Sequence, residues 1–247
     1  MRRPFQLFST LALLLLVAAC GAGTGETPAA DAASSGEDDA AVTTGSGGQP
    51  PVASTQPDKE LLMAPRDPKM NEKAPDSFRV RFTTTAGDFV IEAHRAWSAN
   101  GVDRFYNLCK GGYYDGVKLF RVVKGFMAQF GIHGDPKISK WWMNATIQDD
   151  TVVKSNQRGF VTYAKTGQPH SRSTQLFVNY GDNGFLDAQG FSPFGEVVEG
   201  MNIVDSLYSG YGERTTSEQG SIYKQGNAFL DEKYPELDSI ITARVVD

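Results

Sequence analysis

Short strand-like runs separated by small turns recur from residue 77 to the end of the chain, and they constrain the fold more than any other feature. Phe78–Phe82 alternates apolar with polar residues, and Phe89–Ala93 follows after the glycine-containing stretch Thr85–Asp88. Two alternating runs joined by such a turn predict a β-hairpin. Further strands are predicted over residues 117–123, 126–130, 160–164, 175–179, 194–198 and 240–246.

Two segments favour helices. Asn100 is placed to cap a helix that runs to Lys110, where two glycines end it, and a second helix is predicted over residues 200–207. About eight short strands with two helices indicate a mainly β fold. The prediction is a closed eight-stranded antiparallel β-barrel capped by two α-helices.

The first residues of the chain indicate export. Residues 1–19 join a basic start to an apolar run over 11–19, which is typical of a removable signal peptide. The run is shorter than the roughly 20 residues that a membrane-spanning helix needs. Cys20, followed by glycine, resembles the acylated cysteine of bacterial lipoproteins. We therefore expect an exported protein held through a lipid on Cys20 to a bacterial membrane, facing the periplasm or the cell exterior. An ordinary signal that contains a cysteine is the alternative.

Composition divides the rest of the chain. Residues 20–57 are small and acidic, without an aromatic or basic residue, so they predict a disordered tether. Residues 58–76 have mixed charge and three prolines, and Leu61–Met63 is apolar, which suggests an arm that packs on the domain. The folded domain is placed at residues 77–247.

Charge and motif content exclude several functions. The net charge of −5 offers no basic surface for nucleic acid. His94, His133 and His170 are widely spaced, so we interpret them as surface residues and expect no metal site. No phosphate-binding glycine loop is present, and we expect a monomer without cofactors. Cys109 recurs at helical spacing with Val102, which favours a buried structural thiol over a nucleophile.

The run Phe120–Gly131 carries the candidate chemistry. It consists of two apolar strands that meet at a Lys-Gly pair, with Arg121 on the first strand and Gln129 on the second. A period of two places Arg121 on the same face as Val123, and Gln129 on the same face as Met127. An arginine on an apolar sheet face is either paired structurally or directed at a ligand. The residues alone leave both interpretations open.

This run resembles the FHRxxxGFMxQ signature of the cyclophilins, which are peptidyl-prolyl cis-trans isomerases. Segments that resemble the family follow in the family's order, namely 163–165 (YAK), 173–177 (STQLF), 185–187 (FLD) and 194–201 (FGEVVEGM). The resemblance covers nearly the whole domain. It implies a cyclophilin-like barrel that isomerises X-Pro bonds of unfolded or extended protein segments and so assists folding outside the cytoplasm.

The resemblance also implies roles for individual residues. The family's catalytic arginine and glutamine correspond to Arg121 and Gln129 in this chain. Its proline pocket falls on Phe126, Met127, Phe177 and Leu186, with Phe185 at the rim, and its groove for the residues before proline falls on Ala164, Lys165 and Gln175.

The chain departs from the family pattern at several positions. Phe120 replaces the histidine beside the arginine, Phe185 replaces a rim tryptophan of many members, and Leu176 replaces a phenylalanine. The family's other pocket histidine falls near Phe191, where the spacing differs by one residue. A non-catalytic peptide-binding or chaperone lipoprotein of the same fold is therefore the main alternative. A solute-binding lipoprotein is a third reading, although such proteins ordinarily have a larger, two-lobed chain.

Overall fold

The computed structural model describes residues 57–246, so the predicted signal peptide, Cys20 and nearly all of the tether lie outside the described residues. Within the described range, eight strands form one antiparallel sheet. Their bounds are β1 Ser77–Thr84, β2 Gly87–His94, β3 Arg121–Val123, β4 Met127–Phe130, β5 Phe160–Tyr163, β6 Leu176–Asn179, β7 Pro193–Glu199 and β8 Ile240–Val245. The strand order is β3-β4-β6-β5-β7-β2-β1-β8. The eight predicted strands are thus confirmed, with shifted ends.

The helices of the described residues are more numerous than the two predicted. They are α1 Lys59–Leu62, α2 Ala99–Lys110, α3 Pro136–Trp142, α4 Met201–Ser206, α5 Gln219–Gln225 and α6 Asn227–Lys233, with 3₁₀ helices at Pro68–Met70, Gly184–Gln189 and Gly212–Glu218. The predicted helices are α2 and α4. The expected cap at Asn100 is wrong, because α2 begins at Ala99 with Ser98 at the N-cap position, two residues before Asn100. The Asp150 carboxylate accepts from the backbone N–H groups of Asn100 and Gly101.

The sheet curls into a barrel whose seam is irregular. Its end strands, β3 and β8, do not pair with each other as strands. Instead Lys118 forms an isolated bridge with Ser239, and the Leu119 N–H donates to the Asp238 carbonyl at 3.0 Å. A fully closed barrel was therefore an overstatement. The predicted strand over 117–123 shortens for the same reason, since its first residues form this seam.

The barrel interior is filled mainly by aromatic and aliphatic side chains. The rings of Phe82 and Phe89 stack with 5.0 Å between their centroids, and the ring of Phe105 in α2 packs against that of Phe194 in β7 with 4.9 Å between centroids. Cys109 lies on the same buried face of α2, and burial raises the pKa of its thiol well above the usual value. A thiol held neutral in the core is a structural residue and a poor nucleophile.

The arm that precedes β1 contacts the barrel. The Asp58 carboxylate caps α1, and Leu62 at the end of this helix is buried in the core. The indole N–H of Trp142 donates to the Leu62 carbonyl at 2.6 Å, so α3 holds α1 in place. The boundary between arm and domain at residue 77 stays a prediction.

One of the three histidines is not on the surface. His133 is buried, its Nδ1 accepts from the Asp135 N–H, and burial lowers its pKa to about 4. The surface interpretation is wrong for this residue, because its ring packs against the buried ring of Tyr113, with 5.2 Å between the centroids, and its carbonyl accepts from the Ser139 hydroxyl of α3. Within residues 57–246, no three His, Cys, Asp or Glu side chains form a group that could hold a metal ion. None of the helices in this range has the length and apolar character needed to cross a bilayer.

Candidate active site

The site is built on the outer face of three neighbouring strands. Arg121 of β3 lies opposite Gln129 of β4, and Gln129 lies opposite Phe177 of β6. Because side chains alternate between the faces of a strand, these three form one row. Their neighbours Val122 and Ala128 point the other way, into the barrel core. The row therefore stands on the face opposite the core.

Two glycines permit the local geometry. Gly125 adopts a φ of 75° in the turn between β3 and β4, a conformation that other residues rarely adopt. Gly131, at the end of β4, has a φ of 110°, and a Cβ there would lie 2.3 Å from the Thr174 carbonyl oxygen. This close approach of the two backbones brings Gln175 beside Gln129.

An apolar pocket lies beside the row. Its floor is a cluster of four buried residues, Met127, Phe177, Leu186 and Phe191, separate from the barrel core. The full lining comprises Arg121, Phe126, Met127, Gln129, Ala164, Lys165, Phe177, Leu186 and Phe191. An apolar floor with a few polar groups at one edge suits a small ring such as that of proline.

A chain of hydrogen bonds forms the polar edge of the pocket. Arg121 Nη1 donates to Gln129 Oε1 at 2.9 Å, and Gln129 Nε2 donates to Gln175 Oε1 at 2.7 Å. Arg121 Nε and Nη2 donate to the two carboxylate oxygens of Glu213, at 2.8 and 2.7 Å. The guanidinium also lies 5.8 Å from the centre of the Phe126 ring. Among the described residues these bonds use three of the five N–H donors, which leaves one on each terminal nitrogen.

The opposite side of the pocket is held by backbone and loop contacts. The Ala164 N–H donates to the Gln175 carbonyl at 2.9 Å. The Lys165 ammonium lies 5.7 Å from the centre of the Phe191 ring and donates to the Gln189 carbonyl. Lys165 was expected to take part through its backbone; it belongs to the pocket lining, and its side chain contacts Phe191 of the pocket floor.

The 3₁₀ helix Gly184–Gln189 supplies the rim. Asn183, just before it, donates to the Phe126 carbonyl at 2.9 Å, and Asn156 donates to the carboxylate of Asp187 within it. Burial opposes ionisation of Asp187, but the hydrogen bonds from Ser155 and Asn156 outweigh it and lower the pKa of this carboxyl. The loop is thus fixed from both sides.

Comparison with known proteins agrees with this geometry. The family model "Cyclophilin type peptidyl-prolyl cis-trans isomerase/CLD" matches residues 79–228, more than half of the chain. The chain belongs to this family. Peptidyl-prolyl cis-trans isomerase B of Escherichia coli (strain K12) is 33% identical over 135 residues, which is 52% of this chain and 82% of that protein. Peptidyl-prolyl cis-trans isomerase cyp18 of Streptomyces antibioticus is 33% identical over 150 residues, 57% of this chain and 87% of that protein.

A solved structure supports the same fold. The crystal structure of cyclophilin AquaCyp293 from Hirschia baltica superposes with a TM-score of 0.52 at 20% sequence identity, over 78% of this chain and 82% of that one. The present cyclophilin is thus an enzyme of the peptidyl-prolyl cis-trans isomerase class, and the recognition made from its motifs is confirmed.

The structure of this cyclophilin brings the predicted site residues together. Eight of them line the pocket itself: Arg121, Phe126, Met127, Gln129, Ala164, Lys165, Phe177 and Leu186. Two stand beside it. Gln175 is hydrogen-bonded to Gln129, and Phe185 is 59% exposed with its ring stacked on that of Phe126 at 6.1 Å. Their roles in turnover stay predictions, as does the lipidation of Cys20.

Other residues at the site were missed. Phe191 completes the pocket floor, and the only signal for it was its approximate position in the family pattern. Glu213 pairs with Arg121, and Gln219 and Tyr223 contact Gln175 at 3.1 and 3.0 Å. These three belong to residues 208–237, here called the covering segment. No local pattern in that segment indicates contact with the site.

The covering segment explains one departure from the family pattern. Phe120, which stands where the family carries a histidine, is buried against it. The shared apolar cluster contains Phe120, Ile132, Ile222, Leu230, Tyr234 and Leu237. The Thr215 hydroxyl also donates to the Phe120 carbonyl at 2.6 Å. Phenylalanine at position 120 therefore anchors the covering segment beside the pocket.

Proposed function

We propose that Arg121 and Gln129 catalyse cis-trans isomerisation of X-Pro bonds in extended or unfolded protein segments bound along this face. The observation that carries the proposal is the placement of Arg121. Its guanidinium is buried at the edge of the apolar pocket, and its bonds within the described part of the chain leave one N–H on each terminal nitrogen. That arrangement suits a donor directed at a group held on the pocket floor.

Isomerisation is slow because rotation about the peptide bond breaks amide resonance, with a barrier of about 18–20 kcal/mol. In the twisted state the proline nitrogen becomes pyramidal and gains a lone pair that a guanidinium can donate to. A donor that meets this lone pair binds the transition state better than either ground state, which is what catalysis requires. The reaction makes and breaks no covalent bond, so it needs neither a nucleophile nor a metal ion.

The other pocket residues have complementary tasks in this mechanism. Met127, Phe177 and Leu186 hold the proline ring. Gln129 donates a hydrogen bond to a substrate backbone carbonyl while the carbonyl group before proline rotates. Ala164 and Gln175 line the groove that binds the residues preceding proline. Because a folded domain cannot enter a pocket this small, the substrate is an extended segment.

Replacement of Arg121 tests the proposal. Loss of one preorganised donor to a developing charge costs about 10²–10³ in rate, so Arg121→Ala should lose activity by about this factor while the protein stays folded. Turnover of a short X-Pro peptide is compared between the wild type and the variant, with circular dichroism as the control for folding. Near-normal turnover by a folded Arg121→Ala protein would show that the arginine is structural. A wild type that binds the peptide without turnover would instead make the protein a non-catalytic peptide-binding module.

We also propose that this enzyme works outside the cytoplasm and assists protein folding there, tethered through a lipid on Cys20. The support comes from the sequence: the export-like residues 1–19, the cysteine that follows them and the small acidic tether up to residue 57. A single acyl chain binds a membrane only marginally, so stable anchoring takes the several chains of a lipoprotein.

A further inference from the structure

The covering segment reaches the candidate catalytic residue directly. Glu213 lies in the 3₁₀ helix Gly212–Glu218 of this segment and forms a bidentate pair with Arg121. Arg121 Nε donates to Glu213 Oε2 at 2.8 Å, and Arg121 Nη2 donates to Glu213 Oε1 at 2.7 Å. Planar fork-to-carboxylate pairing of this kind fixes orientation as well as distance. The pair joins residues 92 positions apart in the chain.

The carboxylate itself is held in place. The Thr216 hydroxyl donates to Glu213 Oε2 at 2.8 Å, and the neighbouring Thr215 is buried and bonded to the Phe120 carbonyl, one residue before Arg121. Burial opposes ionisation of Glu213, but the hydrogen bonds and the charge of Arg121 outweigh it and lower its pKa. Glu213 is thus a fixed anion at neutral pH.

The two partners differ in their exposure. The Arg121 side chain is only 6% exposed, whereas that of Glu213 is 52% exposed. A guanidinium withdrawn from water requires a partner, so the pair matters more to the arginine than to the glutamate. Without Glu213, the Nε and Nη2 donors would lose their acceptor, and of residues 57–246 only Gln129 and the Phe126 ring would orient the guanidinium.

We propose that Glu213 is a positioning residue for catalysis: its carboxylate fixes the plane of the Arg121 guanidinium so that the remaining N–H groups of the terminal nitrogens face the proline pocket. The inference rests on the proposed function of Arg121. Glu213 acts through Arg121 and does not touch the substrate.

The test compares two Glu→Gln variants within the covering segment. Glu213→Gln keeps the shape of the side chain but removes the charge and one of the two acceptor oxygens that Arg121 uses. Glu218→Gln is the matched control, since Glu218 pairs with Lys233 and Tyr234 and not with Arg121. On an X-Pro peptide we expect Glu213→Gln to lower kcat by about ten-fold, with KM changed by less than about two-fold, because a misoriented donor affects the transition state more than binding. Glu218→Gln should leave both constants unchanged.

Coupling to Arg121 separates a positioning role from a structural one. If Glu213 acts only through Arg121, Glu213→Gln should cause no further loss in an Arg121→Ala background. Glu213→Asp, which restores the charge on a shorter side chain, should recover part of the activity. Circular dichroism and thermal melting check that all variants are folded.

Several results would overturn the inference. They are equal activity of Glu213→Gln and wild type, an increase in activity on removing the charge, or an undiminished loss in the Arg121→Ala background. An increase would mean that Glu213 competes with the substrate for the guanidinium. An inactive wild type would refute the proposed function itself, which is a distinguishable outcome.

Discussion

Substitution of Arg121 by lysine separates the geometry of the donor from its charge. Lysine keeps the positive charge but replaces a planar fork by a single ammonium. The lysine side chain ends at the position of the arginine Cζ, one bond short of the terminal nitrogens. Because Glu213 lies on the near edge of the guanidinium, we expect the ammonium to pair with Glu213 and to leave the pocket without a donor.

The expected magnitudes follow from these contacts. Activity of Arg121→Lys should fall nearly as far as that of Arg121→Ala, by about 10² or more. Both variants remove the hydrogen-bond donor to Gln129 Oε1, and Gln129 is only 3% exposed. A buried acceptor left unpaired lowers the free energy of unfolding by about 1–3 kcal/mol. For a domain of this size that corresponds to a decrease in Tm of about 2–12 °C, so both proteins should be folded at 25 °C.

The assay measures kcat/KM on one X-Pro peptide for the wild type, Arg121→Lys and Arg121→Ala, with melting curves for each. If Arg121→Lys retains activity within about two-fold of the wild type, a positive charge at this edge is sufficient and the argument from the planar fork is wrong. A large decrease in Tm with loss of the folded spectrum would contradict the stability estimate.

Two further predictions concern the pocket rim and the chain's anchor. Phe185 leaves the rim without the indole N–H that many cyclophilins offer to cyclosporin, so inhibition should be weak, and Phe185→Trp should tighten inhibition by about ten-fold. No change in the inhibition constant would show that this rim position has another role. Cys20→Ser should release the protein from membranes into the soluble extracytoplasmic fraction of a bacterial host. Recovery of wild-type protein in that fraction, or a mature N-terminus without acyl chains by mass spectrometry, would contradict the lipid anchor.

The strands could be predicted because their signal is local. The hairpin β1–β2 lies within residues 77–94 and the pair β3–β4 within residues 121–130, and each shows alternation and a glycine turn. The same alternation placed Arg121 on a face with Val123 and Gln129 on a face with Met127, and the family resemblance then pointed to the pocket lining. That Arg121 and Gln129 share one face follows from the strand register of the structure. Neither argument needed any contact between distant parts of the chain.

The covering segment could not be predicted for the opposite reason. Its helices α5 and α6 have only seven residues each, and helices this short are marginal without tertiary packing. They are stabilised by packing in an apolar cluster that also contains Phe120 and Ile132, which flank strands β3 and β4. The question whether Arg121 is paired or directed at a ligand also had no answer in the sequence, because its partner Glu213 is remote. The geometry permits both, since the pair leaves donors at the pocket.

The pairing of β8 with β1 sets the order in which this fold is completed. Phe82 of the first strand lies opposite Ala243 of the last, so the sheet stays open until the final strand is available. A chain made only as far as β7 would already contain the strands of the substrate-binding face, yet would expose the whole edge of β1. Unpaired edges recruit other chains, and pairing between such distant strands is intrinsically slow. Aggregation should therefore be most acute in the interval before β8 adds to β1, and truncation of β8 should make that vulnerable state permanent.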